Sequence, residues 1–117
     1  MAFTDWIETG PMTDEVWTAL HAFMVFPYLE TLDGYAALAA STGLVVEGRE
    51  DLSSDFATHV QSYLECLTGA HHAAIVAAYG QPMYEEVARG ITLWRDAAAA
   101  GQVGRGRLVA RKPAARN

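Results

Sequence analysis

The order of three strand-like segments most constrains the fold of this chain, because two helical segments separate each strand from the next. Residues Ala2–Asp5 have the character of the end of a buried strand, and Leu44–Gly48 that of a short strand between glycines. In the third segment, Arg107–Pro113, apolar and basic residues alternate, which is typical of a strand with one exposed face. Strands that alternate with helices predict an α/β fold.

Turn and capping residues mark the ends of the first two helices. Thr13 can cap a helix with acidic residues in its first turn. Pro27 cannot extend that helix, which is therefore predicted to end near Phe26. Thr31 can cap a second helix over Leu32–Ser41, and a following glycine tolerates the left-handed backbone that closes it.

Two further helices are predicted between the second and third strands. Ser53 or Ser54 begins the first of them. Gly69 bends or breaks it, and Ala70–Tyr79 continue helically. Pro82 suits the first position of the next helix, which runs to about residue 100. The apolar face of the first helix consists of Phe56, Val60, Tyr63, Leu64 and Leu67.

Length and composition predict one small domain over residues 1–117. Half of the residues are hydrophobic (51%), which is typical of a globular chain. No apolar run reaches the roughly 18 residues that span a bilayer, and the first residues do not resemble a secretory signal. The single cysteine, Cys66, excludes an internal disulfide and fits a reducing cytoplasm.

The charge is unevenly distributed along the chain. The net charge is −6, and all the acidic residues lie between Asp5 and Asp96, whereas five of the eight basic residues lie at or after Arg105. We expect residues 113–117 to form a flexible, solvated basic tail. Because the rest of the chain is acidic, we expect neither a nucleic-acid partner nor a membrane partner.

The four histidines do not predict a metal site. His71 and His72 are adjacent and point about 100° apart on a helix, whereas helical ligand pairs are spaced three or four residues apart. His59 and Cys66 fall close to one helix face but supply only two ligands.

A glycine-rich stretch, GQVGRG, covers residues 101–106. A loop that cradles phosphate needs a strand before it and a helix after it. Here a helix precedes the stretch and a strand follows it, so a turn is predicted.

Asp5 and a group of aromatic residues are the candidate binding residues. Ligands of open α/β sheets bind beyond the carboxyl ends of parallel strands, and the prediction places Asp5 and Trp6 at such an end. Aspartate also caps turns, so a structural role for Asp5 stays open. The aromatic group in the first two helices and the loop between them consists of Trp17, His21, Tyr28 and Tyr35, of which Trp17 is better explained as core.

Four segments carry a resemblance to a known family: FTDW, the tyrosine of LDGYAAL, GLVVEGREDLSSDF and GRGRLVARKP. In order and spacing they resemble the second half of class I S-adenosylmethionine-dependent methyltransferases, in particular the phosphoethanolamine and sarcosine/dimethylglycine N-methyltransferases. The resemblance covers nearly the whole chain. It implies the C-terminal part of a Rossmann-like sheet, with three strands in a mixed arrangement and about four helices that form a lid and a cover.

The resemblance also implies a particular sheet order and an incomplete cofactor site. The three strands correspond to the fifth, sixth and seventh of the family, and the last runs antiparallel between the other two. In the family, the glycine-rich loop and the acid that hold S-adenosylmethionine belong to the first half of the protein, which the resemblance does not cover. The cofactor is therefore expected only if a partner half completes the site, and the open edge of the first strand predicts pairing with a second copy or a cofactor-binding chain, or a loosely folded product.

Several candidate residues follow from the resemblance. Asp5 and Trp6 match the family's strand-end pair beside the cofactor and substrate, and Tyr35 matches a substrate-contacting tyrosine. Tyr28 lies next to the position of another. A phosphate-binding lysine of the family falls at Trp94, which disfavours a phosphobase. An aromatic ring there can face an apolar or methylammonium group, although packing is the favoured role of this tryptophan. The candidate substrate-binding residues are Asp5, Trp6, His21, Tyr28, Tyr35 and Trp94.

Three functions remain open from the sequence. The first is a fragment or subunit of a methyltransferase that contributes the substrate side and lid. The second is a non-catalytic module that binds a small molecule or a partner with the same aromatic residues. The third is a cyclase or isomerase that has reused the lid. A stable folded monomer would favour the second function over the first.

Overall fold

The computed structural model describes residues 1–24 and 29–114 of the chain. Its elements follow the predicted order, except that the break after Gly69 divides the third helical region into two separate helices. The elements are β1 (Ala2–Glu8), α1 (Asp14–Met24), α2 (Leu32–Ser41), β2 (Val45–Asp51), α3 (Ser53–Thr68), α4 (His72–Tyr79), α5 (Gln81–Ala99) and β3 (Val103–Arg111).

Capping and turn residues correctly predicted both ends of α2 and the start of α5. Thr31 Oγ1 accepts a hydrogen bond of 2.9 Å from the backbone N–H of Gly34, which caps α2 as predicted. Gly43 has a φ of 87°, in the left-handed region that glycine tolerates. Pro82 lies in the first turn of α5. The predicted end of α1 near Phe26 lies outside the described residues.

All three strands are longer than predicted. β1 continues past Asp5 to Glu8, because the pairing with β3 continues to the pair Glu8–Val103. The predicted turn at residues 101–106 was therefore wrong from Val103 onward, where β3 begins. Glycine is needed there for packing, because a Cβ on Gly104 would overlap the Ser53 side chain.

The sheet has the order β1-β3-β2, and both ladders are antiparallel. β1 and β2 therefore run in the same direction on either side of β3, which confirms the arrangement that the resemblance implied. β2 contains an irregularity between Val46 and Gly48. Acidic side chains of β2 and basic side chains of β3 pair across their ladder, as in the ion pairs Arg107–Glu50 and Arg111–Glu47.

Helices cover the two faces of the sheet. Successive side chains of a strand point to opposite faces, and α2 packs on the face that carries Ile7 and Leu108, both almost fully buried. α3 and α5 pack against β3 on the other face, which carries Trp6 and Val103, and α1 packs on α5. We call the first the α2 face and the second the α3–α5 face.

The chain is more extended than a compact domain of its size. Its radius of gyration is 17.5 Å, whereas a compact chain of this length has a value of roughly 13 Å. Its accessible surface is 7524 Å², whereas a compact monomer of this mass exposes roughly 6,200 Å². Among the described elements, α4 packs mainly on α3 and α5.

At the edge of the sheet formed by β1, the described chain satisfies only some of the backbone hydrogen-bonding groups. Met1 and Ala110 exchange two backbone hydrogen bonds of 2.8 Å, which fixes the phase of the antiparallel ladder. Alternate residues of β1 therefore direct their backbone N–H and C=O groups away from β3. These outward residues are Ala2, Thr4, Trp6 and Glu8.

Two of the outward N–H groups have partners within the chain. The N–H of Trp6 donates to Asp5 Oδ1 at 2.8 Å, and that of Glu8 donates to the carbonyl oxygen of Glu30 at 2.9 Å. The edge at Ala2 and Thr4 is the part that another strand can reach. No helix within the described residues is both long enough and apolar enough to cross a bilayer. Residues 115–117 of the expected basic tail lie outside the described residues.

Candidate aromatic binding site

An apolar cavity of about 190 Å³ lies between the α3–α5 face of the sheet and the two long helices. We call it the aromatic cavity. An apolar cavity of roughly 150 Å³ can bind benzene, so this one has room for a ring or a short aliphatic group. It is lined by Trp6, Phe56, His59, Val60, Tyr63, Ile91, Trp94 and Arg105.

The cavity is formed by residues that the register and helical spacing bring together. Trp6 of β1 lies directly opposite Arg105 of β3, and the two side chains therefore share a face. Phe56 and Val60 lie four residues apart on one face of α3, which the apolar periodicity predicted. Trp94 lies on α5, three residues after the lining residue Ile91.

Three aromatic rings form the inner wall. The ring centroids of Trp6 and Trp94 are 4.9 Å apart, and those of Trp6 and Phe56 are 5.8 Å apart. Phe56 meets Trp94 edge-on at 6.4 Å. These separations are within the range of favourable aromatic pairs. Because Trp94 is only 2% exposed, it belongs to the core as well as lining the cavity.

Arg105 is the charged residue of the lining. Its guanidinium carbon lies 5.9 Å from the centroid of the Phe56 ring, within the range of a cation–π contact. In the part of the chain that the structure describes, Arg105 has no carboxylate within 4.0 Å. Four other arginines are paired in that part, as Arg49–Asp33, Arg95–Asp96, Arg107–Glu50 and Arg111–Glu47.

Asp5 and Tyr35 meet on the opposite face of the sheet. The Tyr35 hydroxyl donates a hydrogen bond of 2.5 Å to Asp5 Oδ2, and the Tyr35 ring meets the Phe3 ring edge-on at 5.3 Å. Asp5 and Tyr35, both candidate binding residues, thus lie on the same face of the sheet. The prediction that placed Asp5 and Trp6 together at a strand end was wrong, because β1 continues past them and their side chains alternate between the two faces.

Replacing Tyr35 with phenylalanine is expected to lower the free energy of unfolding by about 1 kcal/mol, because the hydrogen bond to Asp5 is lost while the ring contact stays. Urea denaturation followed by circular dichroism measures this change. Tyr79→Phe is the matched control, since Tyr79 is 71% exposed, and it should have no effect. Equal stabilities for the two variants would show that the bond to Asp5 does not hold α2 on β1.

His21, another candidate, is not among the described residues that line the aromatic cavity. His21 of α1 is buried, its Nδ1 lies 2.8 Å from the carbonyl oxygen of Trp17, and its ring stacks on the Trp17 ring at 3.8 Å. Trp17 itself is 38% exposed, so the core interpretation fits it poorly. Tyr28 lies outside the described residues.

A second, more open cleft lies at the carboxyl ends of β1 and β2, and the sequence did not predict its composition. Its volume is about 500 Å³, and its lining includes Glu8, Asp33 and Asp51 beside the first turn of α2. This is the edge at which open α/β sheets bind ligands. Among residues 1–24 and 29–114, no three histidine, cysteine, aspartate or glutamate side chains are placed to hold a metal ion.

Solved structures that share the fold include S-adenosylmethionine-dependent methyltransferases. At a TM-score of 0.84 and 20% identity, 96% of this chain matches 41% of a protein from Galdieria sulphuraria assigned as a sarcosine dimethylglycine methyltransferase. At 0.83 and 18%, 97% of it matches 26% of phosphoethanolamine N-methyltransferase 2 from Haemonchus contortus, solved with phosphomonomethylethanolamine and S-adenosylhomocysteine. At 0.81 and 17%, 95% of it matches 43% of the cyclopropane synthase MmaA2 from Mycobacterium tuberculosis.

These matches establish the fold of the chain. The three strands and five helices adopt the fold of a part of the methyltransferase structures, which confirms the resemblance at that level. The chain spans less than half the length of each of these proteins. No protein-family model and no curated protein sequence matches the chain.

Proposed function

We propose that this chain supplies the substrate side of an S-adenosylmethionine-dependent methyltransferase, and that polypeptide beyond these 117 residues supplies the cofactor-binding side. The observation that carries the proposal is the extent of the match, in which 96% of the chain superposes on 41% of a methyltransferase. In this proposal the aromatic cavity holds the apolar part of a small-molecule substrate.

The described residues do not fit S-adenosylmethionine on their own. A nucleotide-binding loop lies between a strand and a helix, where N–H groups at the helix start point to the ligand. The glycine-rich stretch of this chain instead follows α5 and enters β3. The role left to the chain's own residues is to bind and orient a substrate and to exclude water from it, which are contributions from proximity.

The cavity favours an apolar group over a phosphobase. Its inner wall is aromatic, and Trp94 at the position of the family's phosphate-binding lysine packs against Trp6. Burying an apolar group in such a cavity gives about 25 cal/mol for each Å² removed from water. The proposed substrate therefore places an aliphatic or aromatic group in the cavity.

The isolated chain is expected to bind no S-adenosylmethionine, because the loop and the acid that hold the cofactor lie outside it in our proposal. Isothermal titration of the cofactor into the pure chain should give no saturable heat. One-to-one binding with a micromolar Kd would contradict the proposal, since it would require a complete cofactor site within these residues.

The outer edge of β1 is the proposed contact with the cofactor-binding side. Ala2 and Thr4 direct backbone groups away from β3, and an unpaired strand edge recruits further strands. A strand placed there would extend the sheet beside the open cleft whose lining includes Glu8, Asp33 and Asp51. A second copy of the chain could occupy the same edge when the cofactor-binding side is absent.

A non-catalytic binding module is the second candidate, and one observation favours it. The described residues form the aromatic cavity without help from another chain. Binding of an apolar ligand therefore needs no partner. The two candidates differ in the state of the pure chain, because a module should be a stable monomer and a substrate side should not.

A further inference from the structure

The polar groups around the aromatic cavity are all able to donate hydrogen bonds. Arg105 contributes a guanidinium group with five N–H donors, His59 an imidazole and Tyr63 a hydroxyl. Among the described residues that line the cavity, none carries a carboxylate. The cavity therefore combines an apolar interior with a rim that suits a negatively charged group.

Arg105 differs from the neighbouring arginine on the same face of β3. Arg107, two residues further along the strand, forms an ion pair with Glu50. Arg105 is partly buried beside the Phe56 ring, and no described carboxylate lies within ion-pair distance of it. Its charge is therefore available to a ligand, and a partly buried guanidinium binds a carboxylate more strongly than an exposed one does.

We infer that the aromatic cavity binds a carboxylate with an apolar body, and that Arg105 is the residue that selects it. The ring or short chain occupies the cavity between Trp6, Phe56 and Trp94, and the carboxylate accepts hydrogen bonds from Arg105. A methylammonium ligand is disfavoured, because its charge would lie near that of the guanidinium. This inference rests on the proposed substrate role of the cavity and specifies the substrate class.

Three probes that share a phenyl ring and a three-carbon chain test the inference: phenylpropionate, phenylpropanol and phenylpropylamine. The full chain carries Trp17→Phe, so that fluorescence reports on Trp6 and Trp94 within the cavity. We expect phenylpropionate to bind about tenfold more tightly than phenylpropanol, and phenylpropylamine to bind most weakly. Each probe is titrated at constant ionic strength.

Two arginine variants separate the role of Arg105 from a general effect of charge. In Arg105→Gln the preference for phenylpropionate over phenylpropanol should disappear, while the affinity for phenylpropanol is kept. In Arg107→Gln, the matched control on the same face, the preference should remain. Circular dichroism of each variant confirms that its helical content is unchanged.

Each outcome has a distinct meaning. If the protein with both arginines intact binds phenylpropionate and phenylpropanol equally, the inference is overturned but the apolar substrate cavity remains. Tighter binding of phenylpropylamine than of phenylpropionate would have the same meaning. A loss of preference in Arg107→Gln as large as that in Arg105→Gln would also overturn it. Absence of binding by all three probes would overturn the proposed substrate role of the cavity together with the inference.

Discussion

Replacing Trp94 with alanine is expected to lower the free energy of unfolding by about 3–5 kcal/mol, because a fully buried tryptophan is lost and a cavity remains. Trp94 is 2% exposed and contacts both Trp6 and Phe56 through its ring. The loss would therefore loosen β1 and α3 as well as α5. Urea denaturation followed by far-ultraviolet circular dichroism, at one fixed protein concentration, measures the change.

Trp17→Ala is the matched control for this prediction. Trp17 is 38% exposed, and its ring stacks on the ring of His21. Its removal should cost clearly less than the removal of Trp94. Trp94→Phe provides a milder variant that keeps a ring against Trp6. Equal effects of the two alanine variants would contradict the position of Trp94 at the centre of the core.

The parts of the fold that depend on nearby residues could be predicted from the sequence. The cap at Thr31 and the positive φ of Gly43 fixed α2 at Leu32–Ser41, since both signals act within a few residues of the helix ends. The resemblance supplied what local patterns do not, namely the placement of the last strand between the other two.

Strand lengths could not be predicted in this way, because they depend on pairing between distant segments. Nothing near Trp6 marks the continuation of β1, which follows from its pairing with Arg105. Gly104 resembles a turn residue in the sequence. In the structure it is a strand residue that allows Ser53 at the start of α3 to approach the sheet.

The candidate site shows the same limit. The apolar face of α3 was predicted from its periodicity, but its meeting with Trp6 and Trp94 depends on three elements far apart in sequence. Arg105 was assigned to a turn and to the basic end of the chain. The sequence did contain a strand signal at this position. Arg105 alternates with Gly104 and Gly106, as residues on opposite faces of a strand do.

The second large effect is expected in the assembly of the pure chain. The chain exposes roughly 1,300 Å² more surface than a compact monomer of its mass. Tyr63, Tyr79 and Met83 are large apolar side chains among those exposed. Several hundred Å² of apolar surface in this excess, left exposed to water, would cost the chain on the order of 10 kcal/mol of stabilising free energy. This loss is comparable to the free energy of unfolding of a whole domain.

The backbone edge at Thr4 provides a specific test of how the chain assembles. Thr4→Pro removes an outward N–H without removing a hydrogen bond to β3, and proline on an edge strand blocks the addition of another strand. Thr4→Val keeps the N–H and the strand preference of the residue, so it is the matched control. We expect the proline variant, but not the valine variant, to lose self-association.

Light scattering during size-exclusion chromatography of the pure chain tests most directly whether it is one side of a larger sheet. We expect a mass above the 12.7 kDa of one chain, or a loosely folded species without cooperative unfolding. A monodisperse species of 12.7 kDa that unfolds cooperatively would contradict the proposal and favour an independent binding module.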